Sequence, residues 1–218
     1  MNRRKFFTNT VLSAVGTAGF IQASHAAEGA KPIEGKVEEY DIVIIGSGCA
    51  GLTTAIEAAD HGAKVVVLEK MFGPFGNTIY AGGNFNATNT WVQKRDGIKD
   101  TVEDFYKDLM KVSMNRGDPV LTKMFAEQSA DVVQWLTDRI HMEWKPIDVQ
   151  IAPMLGRCHE VAGKLTPGGN QLIRNMLDEC KKLNIPVVNR TKAVELLHDE
   201  SLNCTGVKAV GPNGPVTY

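Results

Sequence analysis

Residues 40–69 read YDIVIIGSGCAGLTTAIEAADHGAKVVVLE. An apolar run, a glycine-rich turn, an amphipathic stretch, a second apolar run and a carboxylate follow one another in thirty residues. The pattern predicts a strand at 40–45, a helix at about 50–61 and a parallel strand at 64–69. Each glycine of the turn has its own task. Gly46 permits the tight bend, Gly48 lets backbone approach a pyrophosphate, and Gly51 lets the helix pack closely on the strand. The helix start offers unpaired N–H groups and partial positive charge to phosphates. Glu69 ends the second strand, where a carboxylate can accept hydrogen bonds from ribose hydroxyls. These features together point to a dinucleotide site.

The rest of the chain sets the class. It has 218 residues, 43% hydrophobic and 22% charged, an ordinary globular balance with a net charge of −1. No basic patch interleaved with aromatics appears, so nucleic acid is not an expected partner. Cys49, Cys158, Cys180 and Cys204 are widely spaced, without C-x-x-C pairs for zinc or haem, and no metal site is expected. Cys49 in the turn and Cys180 on a helix face read as packing residues, and a disulfide among the four stays open.

Met1–Lys5 (MNRRK), Phe6-Phe7, a mild apolar stretch to Ile21 and Ser24-His25-Ala26 follow the order of an export signal. Arg3-Arg4 resembles the twin-arginine class, which implies a periplasmic destination. The apolar stretch is too short to span a bilayer. A chain starting at Ala27 would hold 21 basic and 25 acidic groups, a net −4. Residues 27–39 are polar with Gly and Pro and read as a linker, leaving 40–218 as the domain.

Further along, 70–100 lacks periodicity and reads as loop. Asp100 with Glu103 predicts a helix start, followed by Val102, Phe105, Leu109 and Val112 as its stripe. Asp118-Pro119 predicts a second helix with Leu121, Phe125, Val132 and Leu136 inward. Gly168-Gly169 precede a third, at about 170–183, with Leu172, Ile173, Met176, Leu177 and Leu183 inward; this helix start could face an anion. Pro186-Val187-Val188 reads as a short buried strand. Ala193–Leu197, Gly206–Val210 and Val216–Tyr218 read as a meander, turned at Pro212-Asn213-Gly214.

A second glycine-rich segment follows Glu69: Lys70, then Gly76-Asn77-Thr78, then Ala81-Gly82-Gly83-Asn84 and Asn86-Ala87. Here the sequence resembles the fumarate reductase-like FAD-dependent oxidoreductases. These include periplasmic fumarate and urocanate reductases, flavocytochrome c and, more distantly, succinate dehydrogenase flavoprotein subunits. Phe75 stands where the family usually has the first glycine of G-G-N. The resemblance continues through 110–123, 132–136, Gly156-Arg157-Cys158-His159 and Thr166-Pro167-Gly168-Gly169, over roughly residues 38–218. Pro167 and the longer spacing after His159 depart from the family's pattern. On their own residues, Arg157 and His159 read as exposed loop positions, with a flavin-facing role as the alternative.

The resemblance implies an α/β fold: a Rossmann-like, glutathione-reductase-type FAD-binding domain with a parallel sheet plus a β-meander, incomplete at its C-terminal side. It implies FAD as cofactor, held by Gly46, Gly48, Ala50, Gly51, Glu69, Lys70, Asn77, Thr78, Gly82, Gly83 and Ala193. It also implies hydride transfer from reduced flavin to an activated C=C bond of an unsaturated acid. The family's capping domain and catalytic residues have no counterpart here, so none is assigned. This chain alone is expected to be inactive, either truncated by a stop or split from a second chain that completes the domain, with a separate cytochrome- or quinol-linked electron donor. Two other readings stand beside it: a non-catalytic flavin- or nucleotide-binding fragment, and an NAD-dependent dehydrogenase, against which the second glycine loop argues.

Overall fold

A computed structural model describes residues 35–74, 76–147 and 156–218. The expected export signal at 1–26 lies outside the described residues. Strand β2 (Ile42–Ile45) pairs in parallel with β3 (Val65–Leu68), register Ile42↔Val65 to Ile45↔Leu68, and helix α1 (Cys49–Asp60) connects them. Strand β7 (Val187–Val188) pairs in parallel with the other side of β3, giving the order β2-β3-β7. All four residues of β3 are buried, as a central parallel strand requires.

Side chains of a strand alternate between faces, and β3 uses that to join two cores. Val65 and Val67 meet Leu52, Ala55 and Ile56 of α1, with Val133, Leu136, Ile173 and Met176 behind them. Val66 and Leu68 meet Val207, Ala209 and Tyr218 on the opposite face. The second group belongs to the meander of β8 (Lys192–His198), β9 (Cys204–Gly211) and β10 (Gly214–Thr217). Strand β1 (Lys36–Val37) joins that sheet parallel to β10, in the order β1-β10-β9-β8. The described end of the expected linker is thus paired backbone.

The segment expected as loop holds three short elements: α2 (Asn77–Tyr80), β4 (Asn84–Asn86) and α3 (Trp91–Arg95). Thr90 caps α3 in a capping box with Gln93. Strand β4 exists because β6 (Cys158–Ala162) pairs with it antiparallel, and β5 (Glu143–Trp144) completes that sheet. Such partners are remote in sequence, so local periodicity gives no sign of them.

Helix α4 (Val102–Val112) is capped by Thr101, whose side chain accepts from the Asp104 N–H; Asp100 is engaged elsewhere, and of the expected stripe only Phe105 is buried, with Val112 exposed. Helix α5 (Pro119–Asp138) starts at Asp118-Pro119 as expected, its first N–H groups bonded to Asp118. Its inward face is Ala126, Ser129, Val133 and Leu136, while Leu121, Phe125 and Val132 are exposed. Small residues let α5 approach closely, and hydrophobicity alone ranks them below the larger ones on the rim. Helix α6 (Gly168–Lys182) buries Ile173, Met176 and Cys180. Among the described residues no helix is long and apolar enough to cross a membrane, and no His/Cys/Asp/Glu group could hold a metal. All four cysteines are free, which closes the disulfide question.

Candidate functional site

The turn from β2 into α1 is built by contact distances. Gly46 has φ +104°, a left-handed conformation that favours glycine, and donates its N–H to the Leu68 carbonyl at 2.8 Å. A Cβ on Gly51 would lie 2.0 Å from the Gly46 carbonyl oxygen. Glycine there is what allows α1 to sit on the turn. Gly48 is the N-cap of α1 and, as glycine, brings no side chain to cap the N–H groups that follow it.

The second glycine segment comes to the same place. A Cβ on Gly76 would lie 3.6 Å from Gly48 Cα, and Thr78 Oγ1 accepts the Cys49 N–H at 3.2 Å. The two turns share a cleft of about 520 Å3, lined by Gly46, Gly48, Glu69, Lys70, Gly76 and Ala193, among others. Asn77 and Thr78 open α2 directly after Gly76. Ala50 and Gly51 lie in the first turn of α1 and, like Asn77 and Thr78, do not line the cleft. Ala193 arrives because the Thr191 N–H donates to the Glu69 carbonyl at 2.8 Å, and the Arg190 N–H to that of Met71 at 2.7 Å.

Glu69 is buried and already bonded within the chain. Its Oε2 accepts the Ser47 N–H (3.0 Å) and hydroxyl (2.7 Å), and Oε1 accepts the Met71 N–H (2.9 Å). Burial alone would raise this carboxyl. The Ser47 hydroxyl, the two backbone N–H donors and the charge of Lys70 outweigh it and hold Glu69 below its ordinary value. The group is therefore an anion braced to the first turn. Ser47 and Thr191 escaped sequence reasoning. Ser47 had a signal, a hydroxyl between two glycines facing the strand end; Thr191 had none.

Gly82 and Gly83 do not line this cleft. Their loop meets the start of α6, where the Gly168 N–H donates to the Gly82 carbonyl (3.1 Å) and the Gly169 N–H to that of Ala81 (2.9 Å). A Cβ on Gly83 would lie 2.6 Å from Gly168 Cα, and one on Gly169 1.9 Å from the Thr78 carbonyl oxygen. The helix start expected to face an anion is consequently occupied by backbone carbonyls, and its glycines serve close approach.

Arg157 and His159 are buried, not exposed loop positions. The Arg157 guanidinium donates to Asp100 from Nε (2.6 Å) and Nη2 (2.7 Å) and to Asp108 from Nη1 (2.5 Å). Those bonds raise its pKa further. Thr88 and Gln93 also donate to Asp100. The expectation failed because the carboxylates that bury Arg157 lie some fifty residues away. Cys49 is half-buried, and desolvation raises its thiol, so it is a packing residue rather than a nucleophile.

The cleft fits a long, pyrophosphate-linked cofactor: open backbone at Gly46, Gly48 and Gly76, a fixed carboxylate at one end, and a second loop leading onward. Comparison with known proteins agrees. The family described as FAD binding domain matches residues 41–217. The urocanate reductase of Eggerthella lenta is 34% identical over 189 residues, covering 85% of this chain and 30% of that protein. The fumarate reductase (cytochrome) of Shewanella frigidimarina is 33% identical over 174 residues, covering 80% and 30%. The open conformation of a flavocytochrome c3 fumarate reductase superposes with a TM-score of 0.70 at 24% identity, covering 100% of this chain and 34% of the other. The chain thus spans about a third of the length of these relatives. Fold, cleft and matched residues lead to one conclusion: this chain belongs to the FAD-binding domain family, among the fumarate reductase-like flavoproteins, and FAD is its cofactor.

Proposed function

We propose that this chain is the FAD-holding portion of an exported flavoprotein that reduces the activated C=C bond of an unsaturated acid. One observation carries the reading: the turns opening at Gly46 and Gly76 meet in a single cleft closed by Glu69 and Ala193. Gly48 and the start of α1 would take the pyrophosphate, with Ala50 and Gly51 holding that turn in shape. Glu69 and Lys70 would take the ribose end, and the backbone at Ala193 the wall beside it. Asn77, Thr78 and the Gly82-Gly83 loop would lead toward the flavin. When bound, FAD supplies the two electrons for the reduction. This chain's residues bind and orient it.

The reading extends to a second polypeptide. Among the described residues strand β2 is an edge strand, with Ile42 and Ile45 37% and 55% exposed. A cavity of about 740 Å3 runs beside it, lined by Val43, Ile45, Leu196, Val207 and Tyr218 among others. An unpaired apolar edge of this kind invites an added strand. That chain would bring the substrate-capping residues, and a cytochrome- or quinol-linked donor would bring electrons. The domain plan expected from sequence belongs to the same proposal: a twin-arginine signal at 1–26, a linker at 27–39 and an FAD-binding domain at 40–218.

The test is reconstitution. The purified chain is mixed with FAD, separated by gel filtration and read by its visible spectrum, then co-expressed with the polypeptide encoded downstream and assayed with reduced viologen across unsaturated acids. Co-eluting flavin and acid-dependent viologen oxidation are expected. Flavin binding without turnover by the assembled pair would instead favour a non-catalytic flavin-binding fragment. Failure to retain FAD would refute both.

A further inference from the structure

Behind the second glycine turn lies a buried polar cluster with no part in the cofactor reading so far. His159, on β6, is fully buried. Its Nδ1 lies 2.8 Å from the Arg157 carbonyl oxygen and 3.2 Å from that of Phe85. Carbonyls only accept, so Nδ1 bears the proton. Its Nε2 lies 2.7 Å from Thr90 Oγ1. That oxygen already accepts the Gln93 N–H at 3.0 Å as the cap of α3. In a neutral imidazole with its proton on Nδ1, Nε2 can only accept, so the Thr90 hydroxyl donates to it.

A second proton reverses this bond. With Nε2 now a donor, the hydroxyl hydrogen of Thr90 must find another acceptor in a site where Thr90 is itself buried. The groups around His159 pull in both directions. Of the charged groups acting on it from α3 and its end, Asp96 favours protonation and Arg95 opposes it. Arg157, two residues back, is closed into its ion pairs with Asp100 and Asp108. Strand β4 faces the ring with the Phe85 carbonyl, and β5 with the edge of Trp144, centroids 5.9 Å apart. Burial pushes His159 below the ordinary histidine value, against the pull of the two carbonyls and Asp96.

The cluster reaches the Ala81–Gly83 loop through β6. The Val161 N–H donates to the Gly83 carbonyl at 3.0 Å, and β6 pairs with β4 across Asn84–Asn86. The Ala81–Gly83 loop thus hangs on the strand that His159 anchors to α3. We propose that the His159–Thr90 hydrogen bond is a proton-operated latch that sets the Ala81–Gly83 loop, which follows the second glycine turn, so that the grip on the flavin end of FAD loosens as His159 is protonated. The latch rests on the FAD reading of the two turns, and His159 acts as a positioning residue, not a contact.

The sign follows from linkage. A histidine held below its unfolded value contributes fully at higher pH, and that contribution is lost as pH falls through the folded value. Glu69 titrates below its own ordinary 4.5, so a change in affinity above that pH does not come from its protonation. FAD titrations at pH 7.5, 6.0 and 5.0 compare the whole chain with His159→Gln, whose amide offers a neutral acceptor and donor that do not titrate. The wild-type Kd should rise by up to about tenfold per pH unit once His159 is protonated, while the variant changes by less than about twofold. Imidazole nitrogen resonances of the wild-type chain read the tautomer and midpoint of His159 directly, and the Gly82 and Gly83 amides should shift with that midpoint, with or without flavin. Equal pH profiles for the two proteins across the His159 midpoint read from its nitrogen resonances, or glycine amides indifferent to that midpoint, would overturn the latch. No FAD binding at pH 7.5 would sink the cofactor reading instead, and the amide shifts would still decide the latch.

Discussion

Two glycines three residues apart should fail in different ways when each is replaced by alanine. A Cβ on Gly51 would meet the Gly46 carbonyl oxygen at 2.0 Å, its carbon at 3.2 Å and Ile44 Cγ2 at 3.3 Å. Carbon and oxygen rest at roughly 3.3 Å, so α1 has to retreat by about 1 Å. The obstacle is backbone, which cannot rotate away as a side chain could, so the upper part of the usual overpacking range applies, about 3 kcal/mol. For a chain of this length that lowers Tm by roughly 6–12 °C. Gly48 is the opposite case. Its φ of −73° and ψ of 177° suit any L residue, and the nearest atom to a Cβ there is Thr78 Oγ1 at 3.9 Å. Gly48→Ala should keep its Tm, or gain the 0.4–1 kcal/mol (about) that a less flexible unfolded chain confers. Its methyl nevertheless occupies the approach to the cleft, so FAD affinity should fall at least about tenfold, or roughly 1.4 kcal/mol. Thermal melts without FAD and FAD titrations by fluorescence measure both. A native Tm for Gly51→Ala would refute the close-approach argument; native affinity for Gly48→Ala would show that this glycine does not face the cofactor.

Three further outcomes are expected. Arg157→Met strands the buried carboxylate of Asp100 and should cost about 3–5 kcal/mol in urea denaturation, much of it recovered when Asp100→Asn is added; a loss under about 1 kcal/mol would mean that the pair does not form. Because Glu69 is held below its ordinary value, its contribution is present above pH 4.5 and lost as pH falls through the folded value. Stability curves should therefore show a steeper acid limb for the wild type than for Glu69→Gln, and parallel limbs would contradict the bonding to Ser47 and Met71. Cys204 is exposed, whereas Cys180 is buried with its thiol pushed up to about 11, so a thiol reagent at neutral pH should label Cys204 rapidly and Cys180 only on unfolding.

Much of the site was legible before any coordinates. The first turn was readable because its requirements are local: a strand, three glycines and a carboxylate within thirty residues, each imposing a residue type. Strand β3, helix α6 and the meander were readable for the same reason, since apolar periodicity and turn residues are properties of short segments. What sequence misjudged depends on remote partners. The loop expected at 70–100 becomes β4 only because β6 pairs with it, and α5 turns Ala126 and Ser129 inward because the neighbouring elements approach closely.

By itself, then, the sequence determined that two glycine-rich turns flank one carboxylate in an α/β chain, because backbone geometry at Gly46 and Gly51 tolerates no other residue. Only the tertiary structure decided that these turns share a cleft, that Glu69 is braced by Ser47, and that Gly168 and Gly169 meet carbonyls rather than an anion. Those outcomes hang on hydrogen bonds and contacts between segments 22 to about 90 residues apart, and separation of that length leaves no periodic trace in a sequence.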